Sequence, residues 1–134
     1  MKGIDIIQNA KQQIDVAIPL ENLKYAYLNC PKNLKEKLAK TIKIRIITQS
    51  HERDAFADEI IQYLEASNNR IESRQVKKLP FNSVIVDDNE AIWGEFQSKN
   101  ENTQNLWTND PIQIAILKAS FENLWQKSSN IRKL

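Results

Sequence analysis

Residues 81–96 read FNSVIVDDNEAIWGEF. A β-branched, apolar run, a polar triplet Asp87-Asp88-Asn89 and a second run holding Ala91, Ile92 and Trp93 make the pattern of two strands about a hairpin turn. Aspartate and asparagine suit that turn because they tolerate left-handed backbone and bond their own main chain. The pattern extends both ways: RIESRQV at 70–76 precedes the hairpin and NLWT at 105–108 follows it, so four strand-like stretches of antiparallel type fill this half of the chain.

Downstream, Asp110, Pro111 and Gln113 combine an N-cap, proline at the first helical position and a capping-box partner. The helix that starts there has the stripe Ile114, Leu117, Phe121, Leu124 and Trp125, which assigns Trp125 to core packing. Upstream, KIRIIT at 43–48 is apolar and β-branched enough for a central strand, and Ser50 offers a cap for a helix bearing Phe56, Ile60, Ile61 and Leu64 that Asn68-Asn69 closes. Residues 20–41 read as helical with a break at Cys30-Pro31, since proline removes a donor and restricts its predecessor. Ile4, Ile7, Ala10 and Ile14 predict an opening helix to about residue 14, followed by a short strand, IDVAIP, that Pro19 ends. Alternating helices and strands followed by hairpin strands predict one α/β domain over residues 1–128, a mixed sheet flanked by helices, with residues 129–134 a frayed, flexible tail.

A chain of 134 residues, 41% apolar and 27% charged, has the composition of one globular domain. It holds no apolar run of the ~18 residues that span a membrane, and no signal peptide is legible at its start. With the lone Cys30, this leads to the expectation of a soluble, cytoplasmic protein without a disulfide. Gly3 and Gly94 are the only glycines, which excludes phosphate-wrapping glycine loops. His51 and Cys30 are the only residues of their kinds, which excludes zinc sites built from several such ligands; no metal or cofactor is expected.

The net charge of +2 conceals an asymmetry. Lys32, Lys35, Lys37, Lys40, Lys43 and Arg45 stand against Glu36, whereas Asp87, Asp88, Glu90, Glu95, Glu101 and Asp110 stand against Lys99. The two regions could meet across a subunit contact, or the basic one could bind nucleic acid in a salt-dependent way. The simpler reading is a solvated face, because Leu34, Leu38 and Ile42 give the lysine-rich stretch an ordinary amphipathic stripe.

Within Pro80–Trp125, the D-D-x-x-A-I-W-G hairpin at Asp87–Gly94, L-W-T-N-D-P at Leu106–Pro111 and F-E-N-L-W at Phe121–Trp125 resemble the C-terminal half of a phospholipase D-like domain. The form is similar to the effector domain of TrmB-type transcription regulators, best known from archaea. The catalytic family's motif is a histidine, a lysine two residues on and an aspartate five beyond that, followed after six residues by Gly-Ser. With Asp87 as the aspartate, Gly94 takes the glycine, Pro80 the histidine, Asn82 the lysine and Glu95 the serine. Proline cannot be the nucleophile and asparagine cannot be the phosphate-binding cation. The resemblance therefore implies a phospholipase D-like fold without its catalysis and a small-molecule, sugar-like effector. It also implies homodimerisation, as single-motif relatives pair to complete two lobes, and DNA contact only through a winged helix that this chain lacks. Similar domains serve beside histidine kinases as sensory modules, and a divergent phosphodiesterase is the enzymatic alternative.

The candidate ligand-binding residues are Ser50, His51, Asn82, Asp87, Trp93, Glu95, Trp107 and Asn109. Ser50 and His51 follow the KIRIIT strand, and ligands in open α/β sheets sit beyond the carboxyl ends of strands. Trp93 and Trp107, near Asp87, Glu95, Asn109 and Asp110, would make an aromatic wall beside polar groups suited to a sugar or cation. Core or interface packing is the simpler reading of both tryptophans, turn chemistry explains Asp87-Asp88 without acid-base work, and a loop or capping role explains His51.

Overall fold

KIRIITQ forms strand β2 (Lys43–Gln49), buried from Ile44 to Thr48 because both faces of the sheet are covered there. The computed structural model describes residues 6–19, 42–49, 61–63, 65–66, 70–94 and 105–130, together with positions 22, 28, 32, 36 and 59. The other strands are β1 (Gln13–Ala17), β3 (Ile71–Val76), β4 (Asn82–Val86), β5 (Glu90–Gly94), β6 (Asn105–Thr108) and β7 (Ser129–Asn130). They make one sheet of order β6-β5-β4-β1-β2-β3-β7. β1, β2 and β3 are parallel neighbours, whereas β4 on β1, β5 on β4, β6 on β5 and β7 on β3 are antiparallel.

Alternation along each strand divides the core in two. Ile14, Ile44, Ile46, Ile71, Val84, Val86 and Ile92 pack with Ile6, Ala10 and Ile61 on one face. Ala17, Ile47, Ile85 and Ala91 pack with Ile114, Leu117 and Phe121 of the C-terminal helix (Pro111–Lys127) on the other. Burial of a side chain such as Phe121 contributes about 1.5–3 kcal/mol. The helix starts as its sequence predicts, with Asp110 accepting from the Ile112 N–H at 3.2 Å and proline at its first position. At its other end the Trp125 carbonyl accepts from Ser128 N–H, Ser128 Oγ and Arg74 Nη1, which satisfies one of the carbonyls a helix end leaves free.

Three expectations are corrected. RIESRQV, read as antiparallel in type, forms β3 and runs parallel to β2 along that strand's whole length. Helix at the start of the chain is confined to residues 6–8 among those described and closes with i→i−3 bonds at Asn9 and Ala10, because Asp87 takes the next free N–H groups, those of Lys11, Gln12 and Gln13. Ile14 accordingly belongs to the sheet, opposite Val86. The tail expected to fray from residue 129 instead adds β7, whose Ser129 and Asn130 pair with Gln75 and Arg74. Residues 131–134 lie outside the described residues, as does the Cys30-Pro31 break, whereas positions 22, 28, 32, 36, 59, 61–63 and 65–66 are helical as predicted.

Candidate functional site at the carboxyl end of the parallel strands

β1, β2 and β3 end together, β4 begins beside them and β5 returns to the same end, where Gly94 pairs with Asn82. Gly94 has φ 145°, a region that favours glycine. Thr48 and Gln75 are partners across β2 and β3. Ile18, directly after β1, bonds its N–H to the Ile47 carbonyl, and Asn82 precedes Ser83, the partner of Ala17. Asn82, Ile18, Thr48 and Gln75 thus form a row across four strands on the face away from the C-terminal helix. At about 4.8 Å per strand the row is roughly 14 Å long, the span of a small polar molecule.

All four residues are buried, and two polar atoms in the row have no hydrogen-bond partner among the described residues: Thr48 Oγ1 and Gln75 Nε2. A buried polar group left unsatisfied costs about 1–3 kcal/mol, and two in adjacent positions call for an occupant or a function. Two neighbouring side chains, Ser73 and Gln49, have partners. Ser73 Oγ donates to Glu65 at 2.7 Å, and Gln49 Oε1 accepts the Leu79 N–H at 2.8 Å.

On the opposite face, Asp15 is a fully buried carboxylate in a charge network. Arg45 bonds it in bidentate fashion, Nε to Oδ1 at 2.8 Å and Nη2 to Oδ2 at 3.1 Å, and grips Glu122 of the helix with Nη1 at 3.2 Å and Nη2 at 2.5 Å. Lys118 reaches Asp15 and also Asp88, the latter at 2.8 Å, and Gln13 Nε2 donates to Asp15 at 2.9 Å. The Arg45 guanidinium lies 4.9 Å from the Phe121 ring centre and 5.3 Å from that of Trp125, and Arg74 lies 4.3 Å from Trp125. Burial would raise the Asp15 pKa, but bonds from Arg45, Lys118 and Gln13 prevail and hold it below its ordinary value. Burial likewise opposes the charges of Arg45 and Lys118, and their carboxylate partners push both pKa values up. Each charge here has an opposite partner, so the network fastens the helix to the sheet and leaves no base or nucleophile poised.

The candidates from the sequence fall in different places. Asn82 is in the row. Asp87 is at the other end of β4, where it and Asp88 have φ 53° and 56°, the signature of a type I′ hairpin turn, closed by Asn89 N–H on the Val86 carbonyl at 3.0 Å. Trp93 faces the C-terminal helix and meets Phe81 edge to face at 6.1 Å. Trp107, 42% exposed, lies on edge strand β6 opposite Ile92 and donates to Glu90 at 3.0 Å, and Asn109 is exposed just beyond that strand. The two tryptophans therefore stand on opposite faces and form no common wall. Ser50, His51 and Glu95 lie outside the described residues; Gln49 and Gly94, which precede them, are at the end that holds the row.

The charge asymmetry is partly internal: Arg45 of the basic region is spent on Asp15 and Glu122, and Asp88 of the acidic region on Lys118. Thr48 and Gln75 were not candidates in the sequence reading. Their signal is a polar residue at a core-phase position, Thr48 two after Ile46 and Gln75 four after Ile71.

The model of the family described as transcriptional regulator TrmB, EBD N-terminal subdomain, matches residues 2–132, nearly the whole chain. The chain belongs to the TrmB family. No curated protein matches it in sequence. Among solved structures it is similar to TrmBL2, an archaeal chromatin protein whose structure shows a novel mode of DNA binding, with a TM-score of 0.72 at 18% identity. That match covers 97% of this chain and 49% of TrmBL2, so the chain spans about half of that relative's length. NucT from Helicobacter pylori is similar with a TM-score of 0.73 at 20% identity, covering 97% of this chain and 89% of NucT. The fold of this TrmB-family chain is the phospholipase D-like one, as the resemblance implied.

Proposed function

We propose that this chain is a non-catalytic, effector-sensing and oligomerising domain of a TrmB-like transcription regulator, with DNA read by another part of the regulator. The observation that carries the reading is the adjacent pair Thr48 Oγ1 and Gln75 Nε2, which have no hydrogen-bond partner among the described residues, at the carboxyl end of parallel strands. Neither is charged, and with Asn82 they offer hydrogen bonds to a neutral, hydroxyl-rich molecule such as a sugar. Because both atoms are fully covered, binding would require the face to open, and a ligand that binds only the open state shifts the population toward it. That is what a sensor needs.

The same reading places Pro80, Asn82, Asp87 and Gly94 where an active phospholipase D-like domain keeps its motif. Pro80 and Asn82 supply neither nucleophile nor cation, and the Asp87 carboxylate is committed to three backbone N–H groups. The sensory module of a signalling protein would use the row in the same way.

The test is the thermal midpoint of the chain in the presence of neutral mono- and disaccharides at millimolar concentration. A rise with one of them, absent in the Thr48→Val/Gln75→Leu variant, supports the reading. No rise with any saccharide removes the sugar effector. Hydrolysis of bis-p-nitrophenyl phosphate, with or without Mg²⁺, that disappears in Asp87→Asn would replace the reading with a phosphodiesterase.

A further inference from the structure

The segment that joins β3 to β4 has a member of the row at each end: Gln75 is the last residue but one of β3, and Asn82 is the first of β4. Because β1 and β2 lie between those strands, residues 77–81 cross the carboxyl ends of both and run the length of the row. The crossing is fixed in place. Gln49, next to Thr48, holds the Leu79 N–H at 2.8 Å, and Val76, Leu79 and Phe81 pack with Ile114, Leu117 and Phe121 on the helix side. Lys77, Lys78 and Pro80 are left exposed at the rim. Neither lysine has an ion pair among the described residues.

Charge at this end of the sheet has one sign. The charged residues described here are Lys77, Lys78 and Lys127, with no carboxylate among the described residues. Lys127 meets the partial negative charge of the C-terminal helix end, which leaves the two lysines of the crossing without a local purpose. The opposite end of the sheet shows the mixed signs of an ordinary solvated surface: Asp87, Asp88, Glu90 and Asp110 share it with Lys11, Lys43 and Arg70.

We infer that the effector of the row is an acidic sugar, whose hydroxyls bond Thr48, Gln75 and Asn82 and whose phosphate ester or carboxylate lies on Lys77 and Lys78. This rests on the effector half of the proposed function and names the class of molecule. The row itself has no charge to meet an anion. The rim supplies it at the Gln75 end, two residues on, about 7 Å along an extended chain. Lysine serves such a group as a point charge with rotatable donors, and a surface of one sign raises the local concentration of anions. Pinning of the crossing by Gln49 and by its apolar side chains lowers the ordering cost of binding.

Thermal midpoints of the whole chain with glucose, glucose 6-phosphate, glucuronate and inorganic phosphate, in buffer of low ionic strength, test this. Glucose 6-phosphate or glucuronate should reach a given rise at a concentration at least tenfold below that of glucose, and added NaCl should shrink the advantage. Which of the two does so tells a phosphate ester from a carboxylate. Lys77→Gln/Lys78→Gln should remove the advantage while leaving the midpoint of the free chain and the response to glucose unchanged. Acidic sugars no better than glucose, or an advantage that survives the double variant, overturn this inference and leave the effector reading standing. Inorganic phosphate as effective as glucose 6-phosphate overturns it too, because the row would then take no part. No rise with any of the three sugars overturns this inference and the effector reading together.

Discussion

Asp87 and Gln13 bond each other twice: the Gln13 N–H donates to Asp87 Oδ1 at 2.8 Å, and the Asp87 N–H donates to the Gln13 carbonyl at 2.9 Å. The same carboxylate takes Lys11 N–H at 2.8 Å and Gln12 N–H at 2.9 Å. A residue that the sequence offers for catalysis is thus the clasp between the β4–β5 turn and the start of β1.

Asp87→Ala is therefore expected to destabilise the chain by about 1–3 kcal/mol, since three N–H groups lose their acceptor and two of them are reached by water. Urea unfolding measures this. A loss under about 0.5 kcal/mol would show that solvent replaces the carboxylate and that the clasp is dispensable.

Stability should form a plateau bounded on both sides in pH. Burial pushes Asp15 and Asp87 up, but their donors prevail, and Arg45 holds Glu122 down, so all three sit below the ordinary carboxylate value. A depressed folded pKa gives stability that is complete above the unfolded value of about 4 and is lost as pH falls through the folded one. Lys118 is raised despite burial, so its contribution is complete below about 10.4 and is lost as pH rises through its higher folded value. Urea midpoints should be flat from about pH 5 to 10 and fall outside that range. In salt, the acid limb should persist, because Asp15 is buried; Glu122, whose side chain is 40% exposed, contributes least to it. A midpoint unchanged at pH 2 would contradict the network's role.

Asp15→Asn leaves Arg45 and Lys118 without their shared anion in a buried place. It should cost about 3–5 kcal/mol, against at most about 1 kcal/mol for Asp88→Asn, which breaks only an exposed pair with Lys118. Equal effects from the two variants, measured by denaturant unfolding, would mean that the pair is solvated.

The strands were legible because FNSVIV, EAIWGEF and KIRIIT carry period and turn chemistry in the chain itself, and the helix start because Asp110-Pro111 is a local signal. What lay beyond reach was set by distant partners. Gln13 leaves the opening helix through bonds to residue 87 and Ile14 through pairing with Val86, and Ser129 becomes strand through β3. Arg45 read as part of a basic face because its partners, Asp15 and Glu122, are 30 and 77 residues away. The row at the carboxyl end was hidden for the same reason: Thr48 and Gln75 stand 27 positions apart and meet only through the parallel register.

That row gives a prediction independent of any ligand. Replacing a satisfied buried polar group by an apolar one costs stability, but Thr48 Oγ1 and Gln75 Nε2 have no partner among the described residues, so the folded chain already carries their desolvation cost. Thr48→Val keeps the branched shape and β propensity while removing the hydroxyl, and Gln75→Leu keeps most of the volume while removing the amide. Each should raise stability by about 1 kcal/mol, and the two together by more, although adjacent residues need not add. Sites kept for binding are commonly held at such a cost to stability. Urea unfolding of the two single variants and the double variant decides the matter. Destabilisation by more than about 1 kcal/mol in both singles would mean that the hydroxyl and amide are satisfied in solution, by ordered water for instance, and the row would then be structural rather than a place kept for an effector.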